Sequence, residues 1–229
     1  MTAMPWYVAL YLAIFTVITG VAFVAGWRDG KTHRRQLALD ALDNFGWIAL
    51  ATAYWRDEVR ALLDREVPPG VTVDVVEGGA TRRESVAAAF GAAPLSYEII
   101  LVHDAARAFV PPDLVERVAA AVREGRAAVV PVLAVVDTIK RIDESGHVVA
   151  TPERSELRAA QTPQGFRREI LEAAYRAAGD DATDDAGLAE QIGVRVFCIP
   201  GADRALKITR AADLAVAEAL LRDDVANLG

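Results

Sequence analysis

Apolar and amphipathic stretches alternate along residues 71–221 of the chain. Unbroken apolar runs predict four β-strands, at residues 71–76, 98–102, 127–136 and 194–199. Helical spacing and start signals predict helices at residues 81–90, 112–124, 168–178 and 211–221. Because unbroken apolar strands that alternate with helices are typical of a sheet covered on both faces, the pattern predicts an α/β fold with a mostly parallel sheet.

The N-terminal part of the chain has a different pattern. No charged residue precedes Arg28, and residues 6–26 are almost entirely apolar. As a helix, this stretch would be about 30 Å long, which is enough to cross the hydrocarbon core of a membrane. Aromatic residues lie at its two ends, and the basic residues after it predict, by the positive-inside rule, that the rest of the chain is cytoplasmic. Those basic residues are Arg28, Lys31, Arg34 and Arg35.

We therefore predict an apolar, helical N-terminal segment over residues 1–55, with a transmembrane helix at 6–26 that tethers the chain to a membrane. The alternative for 6–26 is a buried core helix or a pair of buried strands. A second apolar run, residues 47–55, is too short to cross a bilayer and predicts a buried strand. The remainder, residues 56–229, begins with an amphipathic stretch and forms the second predicted domain.

Composition narrows the function classes. The 229 residues carry a formal net charge of −7 with a pI near 5.1, which argues against a general nucleic-acid binder. Cys198 is the one cysteine, so the chain has no disulfide framework and no cysteine-built zinc site. The mean hydropathy of +0.20 is high for an acidic soluble enzyme, and the excess comes from residues 1–55.

Polar residues follow two of the predicted strands, at the sheet edge where open parallel sheets bind ligands. Thr81 and Glu84 have the spacing of a capping box and predict the start of a helix. Gly79, just before it, would let the backbone approach a ligand closely, and the alternative is that it only permits a tight turn. Asp104 ends the most apolar strand, where a carboxylate can hold a hydroxyl or Mg²⁺, and nearby Arg107 can bind a phosphate. The alternative for Asp104 is a capping role in the loop.

Further candidates lie towards the C-terminus. Residues 137–161 are long, charged and interrupted by Gly146, which predicts a two-stranded arm projecting from the body or, alternatively, a solvated hairpin. Arg158 within it is flanked by apolar residues and is less easily explained as solvated charge. Residues 183–185 could cap a helix and do nothing more. Lys207 lies in a short apolar run, and the alternative is a surface lysine on an edge strand.

Six sequence motifs occur in an order and at a spacing that, taken together, are specific for one protein family. They read VEGGATRRESV (76–86), VHDAARAFV (102–110), VVDTIKRI (135–142), RSELRAAQTPQGF (154–166), TDDAGLAE (183–190) and ALKITRAADLAVAEALL (205–221). Residues 56–229 thereby resemble the 2-C-methyl-D-erythritol 4-phosphate cytidylyltransferase family. The resemblance implies a Rossmann-like nucleotidyltransferase fold with a projecting β-arm over residues 137–161.

The resemblance also implies the reaction. CTP and 2-C-methyl-D-erythritol 4-phosphate would give a CDP-alcohol and pyrophosphate, with Mg²⁺, in non-mevalonate isoprenoid biosynthesis. The substrate phosphate would attack the α-phosphorus of CTP in line, so the protein would position two anions and need no covalent nucleophile. In the family the arm crosses to the neighbouring subunit, which implies a homodimer.

Site residues follow by carrying the motifs over one by one. The implied cytosine contacts are Gly79 and Ser85, with Arg82 in the same turn. The implied contacts to the ribose and the metal–phosphate region are Asp104 and Ala105, and Asp203 is implied to assist the metal. The implied catalytic residues, which hold methylerythritol phosphate for attack, are Arg158 and Lys207. Alongside them would lie Arg107, Thr138 and Thr183, and the arm residues Thr138 and Arg158 would serve the partner's site.

The chain departs from the family pattern at its N-terminus. The family opens with a strand and a loop of the form A-A-G-x-G-x-R followed by P-K, which wraps the CTP phosphates, and residues 1–55 contain neither. Residues 47–55 could stand for the family's second strand, and Ala80 replaces a residue that is often polar. Two alternatives to the active enzyme follow: a catalytically impaired or dead relative acting as a binding or scaffold module, and a fusion or mis-called start. A sugar-phosphate nucleotidyltransferase of similar fold is disfavoured by Arg158 and Lys207.

Overall fold

The computed structural model describes residues 22–27, 45–52, 60, 72–177 and 182–226. Within them, one eight-stranded sheet carries helices on both faces, and a two-stranded sheet forms a separate arm. The strands are β1 (Ala22–Trp27), β2 (Phe45–Thr52), β3 (Thr72–Glu77), β4 (Ile99–Asp104), β5 (Ala128–Ala134), β6 (Arg141–Ile142), β7 (Val148–Ala150), β8 (Arg158–Ala160), β9 (Gln164–Arg167) and β10 (Val196–Pro200). The helices are α1 (Arg82–Ala92), α2 (Pro112–Arg123), α3 (Arg168–Ala177), α4 (Asp185–Gln191) and α5 (Ala211–Ala226).

The strand order of the main sheet is β10-β5-β9-β4-β1-β2-β3, with β8 paired to β5. Strands β2, β3, β4, β5 and β10 all run the same way. Strands β1 and β9, which lie between them, and β8, which pairs with β5, run in the opposite direction. Of the described pairings, only β2–β3 and β5–β10 are parallel. The α/β class is thus confirmed, but the prediction of a mostly parallel sheet is wrong at the level of strand pairs.

Chain connectivity explains the reversed strands. The chain leaves the sheet at the carboxyl end of β5, makes the arm, and re-enters from that same edge, so β9 must run antiparallel to β5. Likewise β1 and β2 follow one another as an antiparallel pair. The five strands that point the same way still place their carboxyl ends at one edge, which is where the site lies.

The predicted transmembrane helix at 6–26 is wrong for residues 22–26, because they belong to strand β1. Its remainder lies outside the described residues. Strand β1 occupies the slot between β4 and β2 and pairs with both, which gives its backbone N–H and C=O groups partners on two sides. An unbroken apolar run fits a buried strand as well as a helix, so hydropathy could not separate them. In the part of the chain that is described, no helix is long and apolar enough to span a membrane.

The N-terminal half of the sheet contains a strand in the region where the sequence showed no convincing counterpart of the family's first strand. Strand β1 fills the central slot, although it runs in the reverse direction. The strand predicted at 47–55 is confirmed at Phe45–Thr52 and pairs in parallel with β3. The amphipathic stretch that begins at residue 56 lies outside the described residues, except for Arg60, which is helical.

The core lies on both faces of the sheet, as the apolar strands predict. Consecutive residues of β4 point to opposite sides, so Ile100 packs with α1, α3 and α4, and Leu101 packs with α2. Phe166 of β9 is fully buried in the first cluster, and Val118 of α2 is fully buried in the second. This packing holds the ends of β3 and β4 in fixed positions beneath the site.

The arm predicted over residues 137–161 is confirmed. Strands β6 and β7 pair with each other around a turn in which Gly146 has a φ of 84°. The arm returns through a short 3-10 turn and β8, which joins the main sheet beside β5. Its side chains are largely exposed, including several large apolar ones. Those exposed apolar residues are Val136, Ile139, Ile142, Val148 and Val149.

Candidate active site

The turn between β3 and α1 is built around two hydrogen-bond pairs. Thr81 and Glu84 form the predicted capping box: Glu84 N donates to Thr81 Oγ1 over 3.1 Å, and Thr81 N donates to Glu84 Oε2 over 3.0 Å. Gly79 N donates to Ser85 Oγ over 3.1 Å, and that hydroxyl donates to Thr81 O. A Cβ on Gly79 would lie 2.1 Å from Glu84 Cβ, so this turn requires glycine. Ser85, fully buried, braces the turn in this structure.

Asp104, at the carboxyl end of β4, gathers the cations of the site. Its Oδ1 accepts from Arg82 Nε at 2.9 Å, and its Oδ2 accepts from Lys207 Nζ at 2.9 Å. Arg107 Nε lies 3.9 Å from Oδ2 and, among the residues that the structure describes, has no hydrogen-bond partner although it is buried. Residues far apart in the sequence thus meet around one carboxylate, and the structure brings the predicted site residues Arg82, Asp104, Arg107 and Lys207 together.

The electrostatics of this cluster favour charged groups. Burial alone would raise the pKa of Asp104, but Arg82 and Lys207 outweigh it and lower that pKa to about 2. Burial lowers the pKa of Arg82, but Asp185 and Asp104 more than offset that effect and raise it above its ordinary value. For Arg107, burial lowers the pKa despite the nearby Asp104.

Sequence reasoning missed the role of Asp185, which it treated only as part of a helix cap. Asp184 is the cap of α4, accepting from Gly187 N at 2.8 Å. Asp185 is buried and accepts from Arg82 Nη1 at 2.8 Å and from the Tyr175 hydroxyl at 2.5 Å. Burial, followed by the charge of Asp185, raises the pKa of Tyr175, so its phenol stays protonated as the donor. A second acidic residue in the first turn of an apolar helix was the available signal.

A chain of hydrogen bonds fixes the loop that carries Asp104. Asp104 N donates to Thr162 Oγ1 over 2.9 Å. The Thr162 hydroxyl in turn donates its own proton to His103 Nδ1, which lies 3.0 Å away. His103 Nε2 faces Arg107 O at 3.3 Å, and a carbonyl can only accept. We therefore assign His103 as neutral with its proton on Nε2, in agreement with burial, which lowers its pKa to about 4. This relay ties both ends of the 104–107 loop to the rigid sheet.

Arg107 is positioned differently from the other two cations. Its Nη1 donates to Ala205 O over 2.8 Å, and its Nη2 donates to Ala160 O over 3.2 Å. Gln161 is also buried and donates to Ala202 O, which lies in the same segment. Arg107 therefore fastens the base of the arm to the segment that carries Lys207.

An open pocket of about 370 Å³ lies beside the cluster, between the N-termini of α1 and α4. The predicted residues Arg82 and Thr183 both line it. Its lining consists of Thr81, Arg82, Arg83, Glu84, Ala182, Thr183, Asp184, Asp185 and Leu188. The lining combines two guanidinium groups and two hydroxyls with three carboxylates, each of which accepts a hydrogen bond within the protein. The pocket is therefore suited to a polar ligand.

The remaining predicted residues lie around this cluster rather than in it. Ala105 is buried directly after Asp104. Thr138 is exposed at the base of the arm, and Arg158 is exposed on β8, where its Nη1 donates to the carbonyls of Ser155 and Leu157. The described contacts do not bring Arg158 to Asp104 or Lys207.

The predicted Mg²⁺ can be tested against the residues present. Such ions are held by one or two carboxylates together with substrate phosphates. Asp104 offers one carboxylate at the sheet edge, and Asp203 is exposed in the 3-10 turn Asp203–Ala205. Among the residues the structure covers, no three His, Cys, Asp or Glu side chains gather into a metal site. Both oxygens of Asp104 already accept from Arg82 and Lys207, so a cation here would depend on substrate phosphates and water for most of its ligands.

Comparisons with known proteins agree on one family. Residues 33–223 match the family model for 2-C-methyl-D-erythritol 4-phosphate cytidylyltransferase. The protein of that name from Saccharopolyspora erythraea is 57% identical over 152 residues, which is 65% of this chain and 68% of that relative. The one from Frankia casuarinae is 55% identical over 152 residues, which is 66% of this chain and 57% of that relative. One from Nocardia farcinica is 48% identical over 196 residues, which is 84% of this chain and 83% of that relative.

Solved structures show the same likeness. The cytidylyltransferase from Thermus thermophilus is 42% identical, with a TM-score of 0.59 over 69% of this chain and 77% of that one. The 4-diphosphocytidyl-2C-methyl-D-erythritol synthase from Anaerococcus prevotii is 27% identical, with a TM-score of 0.72 over 81% of this chain and 82% of that one.

Proposed function

Because the chain belongs to the 2-C-methyl-D-erythritol 4-phosphate cytidylyltransferase family, nucleotidyltransferases of isoprenoid biosynthesis, we propose that it catalyses the family's reaction. It transfers a cytidylyl group from CTP to 2-C-methyl-D-erythritol 4-phosphate and releases pyrophosphate. The observation that carries this proposal is the cluster of Arg82, Arg107 and Lys207 around Asp104, beside an open pocket. The alternative of a binding or scaffold module is not favoured, since the relatives compared above bear the names of enzymes.

The chemistry requires two anions to approach each other. A phosphate oxygen of methylerythritol phosphate forms a bond to the α-phosphorus of CTP, and the bond from that phosphorus to the bridging oxygen of pyrophosphate breaks. Repulsion between the anions is the main obstacle, so fixed cations lower the barrier without any covalent intermediate. Lys207 is suited to this task because its ammonium is anchored on Asp104 while its side chain remains 43% exposed.

The nucleotide is proposed to bind at the carboxyl edge of β3 and β4. The turn containing Gly79 and Ser85 faces the cytosine, and Asp104 and Ala105 face the ribose and phosphates. Asp104, assisted by Asp203, is the proposed contact for Mg²⁺ carried on the phosphates, which neutralises part of their charge when bound.

The arm is proposed to complete the site of a neighbouring subunit in a homodimer. Thr138 and Arg158 are exposed on this chain and lie apart from the Asp104 cluster. The exposed apolar side chains of β6 and β7 also supply a surface that a partner subunit would cover. Membrane contact through 6–26 is not proposed, since β1 takes up residues 22–26, and the basic residues after residue 27 indicate a cytoplasmic location only together with that helix.

The experiment measures pyrophosphate release from CTP plus methylerythritol phosphate by the wild type and by Lys207→Ala. Removal of one preorganised donor should lower turnover about a hundredfold or more. Arg222→Ala is the matched control, because it removes an exposed cation from α5 that pairs only with Glu218 among its described contacts. Turnover by the wild type that does not exceed that of Lys207→Ala would contradict the proposed function.

A further inference from the structure

Arg82 is held from two sides by carboxylates that come from different elements. Its Nε donates to Asp104 Oδ1 at the end of β4, and its Nη1 donates to Asp185 Oδ2 in the first turn of α4. The Asp185 side chain is 1% exposed, and its other oxygen accepts from the Tyr175 hydroxyl on α3. Both oxygens of this buried carboxylate therefore have partners, and one of those partners lines the pocket.

Fixing two N–H groups of a guanidinium fixes the others, because the five donors lie in one rigid plane. The bonds to Asp104 and Asp185 engage two donors of Arg82. The remaining donors belong to a side chain that is 28% exposed and lines the pocket. A single bond to Asp104 would leave the plane free to turn about that bond, so Asp185 is what sets the direction of the remaining donors.

The charges of the cluster give Asp185 a second effect. Asp104 is shared between Arg82 and Lys207, so it does not neutralise both. With Asp185 included, three cations (Arg82, Arg107 and Lys207) face two carboxylates. These three cations and two carboxylates by themselves carry one net positive charge, and the pocket beside them is also lined by Arg83, Glu84 and Asp184. The two carboxylates against its guanidinium keep Arg82 ionised although its side chain is only 28% exposed.

We propose that Asp185 is a positioning residue, fixed by Tyr175, that aims the remaining donors of the Arg82 guanidinium at the bound nucleotide. This inference rests on the proposed function, because the ligand it names is CTP. Asp185 touches no reacting atom itself and acts through Arg82. A purely structural Asp185 would stabilise α4 without affecting how Arg82 binds the nucleotide.

A double-mutant cycle separates these two roles. Asp185→Asn keeps the shape of the side chain but places an amide against the guanidinium. We expect kcat/KM for CTP to fall about ten- to a hundredfold, which is the range for the loss of a hydrogen bond to a charged group. In an Arg82→Gln background, the same substitution should have almost no further effect. Asp113→Asn is the control, because it removes an exposed carboxylate from the first turn of another helix, α2.

A second measurement does not depend on turnover. The Arg82 Nη1–H protons, identified by their absence in Arg82→Gln, donate to Asp185 and should exchange slowly with water in the wild type and rapidly in Asp185→Asn, as measured by ¹⁵N NMR. Tyr175→Phe should give a smaller change in the same direction, and it replaces Asp185→Asn if that variant does not fold. Equal exchange rates in wild type and variants, or additive losses in the cycle, would overturn the inference. If the wild type shows no turnover, the proposed function fails, and the exchange rates alone still decide the role of Asp185.

Discussion

Replacing Asp104 by asparagine removes the charge around which the site is organised. Asparagine has nearly the same shape and keeps the backbone N–H that donates to Thr162 Oγ1. The substitution therefore removes the ion pairs with Arg82 and Lys207 while it leaves the loop in place. Arg82 retains Asp185, and the half-exposed Lys207 can be solvated, so the loss should approach the value of the charge itself.

The size of that loss follows from the pKa of Asp104, which the two cations lower to about 2, against the effect of burial. The ordinary value for an aspartate is 3.8. Since each pKa unit corresponds to about 1.4 kcal/mol, the charge contributes about 2 kcal/mol to the free energy of unfolding at pH 7. Because the folded state has the lower pKa, the unfolded state binds protons first. The contribution is thus complete above about pH 4 and disappears as the pH falls through 2.

Urea-induced unfolding of wild type and Asp104→Asn at pH 7 and pH 3 measures this difference. We expect a gap of about 2 kcal/mol at pH 7 that narrows to roughly half at pH 3, together with a loss of turnover of at least about a hundredfold. Asp113→Asn is the control, since this exposed carboxylate forms a surface pair with Arg117 and should change stability by less than about 1 kcal/mol. An Asp104→Asn variant as stable as the wild type at pH 7, or a gap that does not depend on pH, would refute the reasoning.

Two further predictions concern the core and the histidine relay. A Cβ on Gly165 would lie 2.6 Å from Val118 Cγ1, whereas one on Gly91 would meet nothing within 4 Å. Gly165→Ala should therefore lower the unfolding free energy by about 1–3 kcal/mol. Gly91→Ala in α1 should raise it by up to about 1 kcal/mol. If urea titrations show the same change in unfolding free energy for both variants, this packing is contradicted. His103 should remain neutral at pH 6, with its proton on Nε2, in ¹⁵N NMR spectra. A charged imidazole at that pH, or a proton on Nδ1, would contradict the relay through Thr162.

Local sequence was sufficient where the deciding interactions are local. The capping box of Thr81 and Glu84 forms as predicted, because its two hydrogen bonds join residues three positions apart. The arm follows in the same way from a charged stretch interrupted by Gly146, whose positive φ makes the turn. The six motifs indicated Asp104 and Lys207 as separate site residues, and their contact is a finding of the structure, since hydropathy does not place those residues together.

The sequence by itself determined the α/β class, the boundaries of most helices and strands after residue 71, the arm, and the identity of the cationic residues. Only the tertiary structure decided the direction of β1 and β9, because an apolar strand pairs in either direction and the connections and open slots of the sheet select one. It also decided the role of Asp185. A carboxylate at the start of a helix has the same local signature whether it faces water or a guanidinium, and only the approach of Arg82, 103 residues away, makes it part of the site.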